Sequence, residues 1–156
     1  MAAAKKAKGA YLEEQAETVR AALGATSKAD ELFRLAAEAG YLTALADGAE
    51  DAAERDALIE ALERLSHGIV IGWETETFLT DAWARISAEG NDARCAAVGS
   101  GLAALGQAEA GLLIGAIVAQ ASNGIDKSEA QALEKIGSAA GLARDKVAAI
   151  VKKARG

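Results

Sequence analysis

Apolar residues recur along most of this chain at the three- and four-residue spacing of a helix face, with polar residues between them. Leu12, Ala16, Val19 and Leu23 share one face, which predicts a first helix from Ala10 to about Leu23, ended by Gly24. Residues 1–9 carry lysines and no stripe, and are expected to be a flexible tail. Ser27 stands three residues before Asp30 as a variant capping box. The second helix then runs to about Ala46, striped by Leu32, Leu35, Ala36, Ala39 and Leu42, and stops at Asp47-Gly48. A third begins near Asp51, carries Leu58, Leu62 and Leu65, and closes at Ser66-His67-Gly68. After a short apolar connector from Ile69 to Trp73, Thr75 or Thr77 opens a fourth. Its expected core face is Phe78, Leu79, Ala82, Trp83 and Ile86.

Gly90-Asn91-Asp92 reads as loop and cap, followed by a small-residue helix from Ala93 to about Leu105. The stretch from Ala108 to Ala121 is apolar nearly all round, so it is expected at the centre. Asp126 and Glu129 cap a seventh helix bearing Leu133 and Ile136, and Gly141 breaks it. The last helix, within 142–154, places lysines in its final turn, as the helix dipole prefers. The chain has no proline, only 4% aromatics, and roughly a quarter alanine, the best helix former. The expectation is an all-α chain: one compact bundle of seven or eight helices over residues 10–156.

Two hairpins repeat. Leu42–Leu58 and Ile117–Leu133 align at an offset of 75, pairing Asp47 with Ser122, Gly48 with Asn123, Asp51 with Asp126, Glu54 with Glu129 and Leu58 with Leu133. Asparagine in place of Gly48 is sensible, because asparagine is the usual non-glycine visitor to left-handed backbone. The pattern predicts an internal duplication.

Charge then separates the regions. The net charge is −6, but residues 41–90 hold eleven acids against three bases, and residues 126–156 hold four against seven. An acidic middle repels phosphates, so nucleic acid is not an expected partner. The most apolar run, Ala110–Ala119, is too short to span a bilayer, and the N-terminus lacks the apolar core of a secretory signal. One cysteine, Cys95, fits a reducing compartment, and a cytoplasmic protein is expected.

Little in the sequence suggests catalysis. His67 and Cys95 are single, so neither a zinc set nor a His-based triad stands out. His67 reads as a helix C-cap cation and Cys95 as a small core residue. Gly111 and Gly115 read as close-approach positions between helices, Trp83 as core, and Trp73 as half-exposed. The first hairpin is no EF-hand, since the third loop position would be Leu45, which cannot ligate. A looser oxygen site remains. Asp51, Glu54, Asp126 and Glu129 are explained as helix caps. Asp47 at a helix C-terminus and Glu50 are not, and a bound cation would offset their repulsion. The competing interpretation is a capped turn with a solvated acidic face.

The Ala46-Asp47-Gly48 turn, followed by Glu54 and the Leu58 stripe, with a related hairpin at Ser122–Glu129, resembles the tellurite-resistance TerB family and its TerB-like relatives over about residues 27–155. That resemblance implies a helical bundle gathering acids from both hairpins on one surface. It also implies a divalent-cation-binding role (Ca, Mg, Mn or Zn) and a link to tellurite resistance or stress. The candidate ligands are Asp47, Glu50, Asp51 and Glu54, with Asp126 and Glu129 contributing. The chain departs from the family at Glu50, where an aliphatic residue is usual, and at Ser122, where the aspartate is lost. The alternative function is a metal-free module whose acidic face docks a basic protein partner. Neither interpretation makes the chain an enzyme.

Overall fold

The structure, a computed structural model, describes residues 2–24, 28–45, 52–65 and 72–155, with side chains over 11–23, 28–29, 31–45, 55–65, 75–121 and 124–155. Among these residues there are eight helices: α1 (Ala2–Gly24), α2 (Ala29–Ala44), α3 (Ala52–Leu65), α4 (Gly72–Glu89), α5 (Asn91–Ala104), α6 (Ala108–Asn123), α7 (Lys127–Ala139) and α8 (Arg144–Arg155). The described residues contain no strand. The all-α bundle expected from the apolar periodicity is what forms.

Most stripes bury as expected. Leu12, Ala16, Val19 and Leu23 of α1 are buried, as are Leu58, Leu62 and Leu65 of α3 and Leu133 and Ile136 of α7. Three expectations change. The expected start of α1 is Ala10, whereas helical backbone begins at Ala2. Asn91 and Asp92, expected as loop and cap, form the first turn of α5, and only Gly90 separates α4 from α5. Gly90 manages this with φ 93 and ψ 154, a combination open essentially to glycine alone. Asn123, expected to take the left-handed turn, is the last residue of α6, and Gly124 takes φ 78 and ψ 168 in its place. Ser27, the Asp47-Gly48 turn and the Ser66-His67-Gly68 stop lie outside the described residues.

Trp83 is a fourth correction. Expected in the core, it is 48% exposed. The buried line of α4 runs through Thr75, Leu79, Ala82 and Ile86. At about 100° per residue, Trp83 and Phe78 fall on opposite flanks of that line, and neither reaches its centre.

α6 is central as expected, but it shares the position with α2. From Ala36 to Thr43 every residue of α2 is buried. The two helices cross at Gly40 and Gly115. A Cβ on Gly40 would stand 2.7 Å from Val118 Cγ1, and one on Gly115 would stand 2.9 Å from Ala39 Cβ and 3.2 Å from the Ala36 carbonyl oxygen. Glycine is needed at both positions because backbones meet there. This is the close approach expected of Gly115; Gly111 packs under Leu102 of α5.

Gly40 and Gly115 lie 75 positions apart, the offset of the sequence repeat. The packing follows the same rule. Exchanging α1–α4 for α5–α8 turns α1–α3 contact into α5–α7, α3–α6 into α7–α2, α1–α6 into α5–α2, and α3–α4 into α7–α8, and each of these pairs touches. The α2–α6 crossing maps onto itself. At the same offset the buried residues Leu58, Ala61, Leu62 and Leu65 of α3 correspond to Leu133, Ile136, Gly137 and Ala140, also buried. The bundle is thus two similar four-helix units sharing one central crossing.

Candidate functional site

The expected ligands fall on the two hairpins. Asp47, Glu50 and Asp51 lie outside the described residues. Glu54 lies in the first turn of α3, and its side chain is not among those described. Asp126 is the N-cap of α7: its Oδ1 accepts from the Glu129 amide at 2.9 Å, as the cap motif requires. Glu129 follows in the first turn of α7, where a carboxylate suits the helix dipole, and it is buried. Burial of this carboxylate was not foreseen, because capping alone would leave it at the surface. Among the described residues no three His, Cys, Asp or Glu side chains are grouped closely enough to hold a metal ion.

The ends of the two hairpins nevertheless approach one another. Leu42, near the C-terminal end of α2, lines a cavity of about 160 Å³ together with Ser128, Gln131 and Ala132 of α7. The C-terminal end of α2, described as far as Leu45, therefore lies beside the first turns of α7.

A second polar site escaped the sequence. Glu38 sits in the buried part of α2, with only 4% of its side chain exposed. Arg94 of α5 grips it with a two-pronged fork: Nε donates to Oε2 at 2.7 Å and Nη2 to Oε1 at 2.9 Å. Arg85 of α4 adds one donor, Nη2 to Oε1 at 3.3 Å, and Glu89 takes the far side of Arg94 at 3.5 Å. The hydrogen bond to Glu38, ahead of the opposing effect of burial, holds the Arg94 guanidinium even more firmly protonated than usual. Arg85 Nε is buried and has no hydrogen-bond partner among the described residues. Leaving such a donor unmet costs about 1–3 kcal/mol. The cluster opens into a groove of about 520 Å³ between α2, α4 and α5, whose walls include Arg34, Leu35, Thr77, Phe78 and Asp81. The sequence held only a weak signal: one charge, Glu38, inside the otherwise uncharged run from Leu35 to Ala46.

A cavity of about 820 Å³ lies between α5, α7 and α8. Cys95 is in its wall, and Lys135 reaches across to Asp92 at 2.9 Å. Burial pushes the Cys95 thiol up from its usual range, which disfavours the reactive thiolate. The expectation of a buried, unreactive cysteine agrees with this placement. The hydrogen bond that Lys135 donates to Asp92 raises the lysine above its ordinary range, at an exposed position. His67 lies outside the described residues, and so does the Trp73 side chain.

No helix among the described residues is long and apolar enough to cross a membrane. No family model matches the chain, and neither a curated protein nor a solved structure does so.

Proposed function

We propose that the protein is a non-catalytic binding protein of TerB-like type, acting in a metal-linked stress response in the cytoplasm, that takes up a divalent cation at its hairpin turns. Asp47 and Glu50 supply the carboxylates that helix capping leaves unexplained, with Glu54 beside them. Asp126 is occupied as a cap, and Asp51 takes the same role by its place in the repeat. Glu129 contributes from the second hairpin. One observation carries this proposal: Leu42 of α2 and the first turns of α7 line a single cavity, so the end of α2 that precedes Asp47 in the sequence lies next to Glu129's helix turn. Hard cations accept carboxylates converging from separate segments and impose little geometry.

The test is calorimetric titration with Ca²⁺, Mg²⁺, Mn²⁺ and Zn²⁺. Saturable binding by the wild type is expected, lost in Asp47→Asn/Glu54→Gln and weakened in Glu129→Gln. Absence of heat below millimolar cation would defeat the proposal. An unaltered Glu129→Gln titration would confine the site to the first hairpin. Circular dichroism of each variant separates lost ligands from lost fold.

A further inference from the structure

The groove between α2, α4 and α5 holds charges that the packing does not need. Its counterpart under the internal repeat is the junction of α6, α8 and α1. There Leu113 stands for Glu38 and Ala110 for Leu35, at the offset of 75. α8 begins 72 positions after α4, and at that spacing buried Val147, Val151 and Ala154 answer to buried Thr75, Leu79 and Ala82, and Ile150 to Phe78. The same architecture thus closes one junction with aliphatic side chains and fills the other with an ionic cluster. Buried ion pairs are a poor way to gain stability, because desolvation offsets most of their attraction. Retaining one beside an open cavity points to a ligand.

We propose that this groove binds a small organic carboxylate with an apolar body. Arg85 is the anchor. It touches Glu38 through one amino nitrogen at 3.3 Å, its Nε has no hydrogen-bond partner among the described residues, and 39% of its side chain is exposed, so the arm has room to turn. A guanidinium edge presents two parallel donors that match a carboxylate. Arg34 stands in the same groove, Thr77 offers a hydroxyl, and Leu35 and Phe78 supply an apolar wall. Glu38 and Asp81 set the charge limit. Three arginines against these two acids leave one positive charge among the lining groups, and Glu89 shares Arg94 from the far side. A singly charged carboxylate suits that balance, and a doubly charged phosphate does not.

Phenylacetate is the probe, followed by amide NMR and calorimetry on the full chain, with inorganic phosphate in parallel. The expected result is saturable binding with a dissociation constant on the order of 1 mM or tighter. Shifts should centre on the Thr77, Phe78 and Arg85 amides, and phosphate should not reproduce them. Arg85→Gln should weaken binding about tenfold or more. Arg34→Gln, at an exposed position, should also weaken it and tests the groove even if Arg85→Gln perturbs folding. The proposal is overturned by no saturable shift below roughly 20 mM probe, by unchanged affinity in both variants, or by phosphate giving the same shifts. None of these outcomes bears on cation binding at the hairpins.

Discussion

The two halves solve one packing problem in two ways. Where α6 meets α8 and α1, aliphatic side chains close the junction, and the Tyr11 hydroxyl of α1 ties across by donating to the Ala154 carbonyl of α8. Where α2 meets α4 and α5, direct contact between α2 and α4 is slight, and Glu38, Arg85 and Arg94 bridge the gap. The repeated packing supplies an internal control here: the corresponding junction closes without a buried ionic cluster. The charged junction is also the one that leaves a groove.

Removing one member of the ionic cluster should have the largest effect. Arg94→Met leaves Glu38 buried with only its longer bond to Arg85, and should cost about 3–5 kcal/mol in urea unfolding. Converting the charged junction into its counterpart sharpens the comparison. Glu38→Leu combined with Arg94→Leu should recover most of that loss, ending near neutral or more stable than wild type by about 1–4 kcal/mol. A double variant as unstable as Arg94→Met would mean that the two junctions are not interchangeable.

The apolar junction makes a smaller, pH-dependent prediction. Burial, helped by the nearby Glu14 charge, pushes the Tyr11 phenol up to about 12 from 10.0. The folded state therefore keeps a proton that the unfolded state releases between those values. Stability linked to Tyr11 should be complete below pH 10 and decline as pH rises towards 12. Lysines titrate in the same window, so the readout is the difference between wild type and Tyr11→Phe. The variant should decline less steeply with pH, and parallel curves would remove Tyr11 from the junction's energetics.

Much of the fold was legible because amphipathic spacing is local. The stripes of α1, α3 and α7 could be read directly, and the all-round apolar α6 announced a central helix. α2 is buried just as thoroughly from Ala36 to Thr43, yet Glu38 disguised it. A carboxylate reads as surface until its arginine partners, 47 and 56 positions away, are brought alongside. Trp83 misled for the opposite reason. A large aromatic reads as core, but its helical angle places it at the edge of the buried line. The candidate cation site was legible as far as its caps: Asp126 behaves as the motif requires. Burial of Glu129 was not legible, because it depends on what packs over α7 and not on the local sequence.

The α2–α6 crossing also has a consequence for the order in which the chain can fold. Contacts at Gly40 reach Gly115 and Val118, so the burial of α2 depends on a helix made long after it. A chain growing from its N-terminus at about 5–20 residues per second exposes α2 for several seconds before α6 is available. During that interval α1–α4 have no completed core of their own. Closing the long loop between the halves is the step that most non-local packing must await. The crossing that unites the two repeats is therefore also what prevents the first from maturing alone.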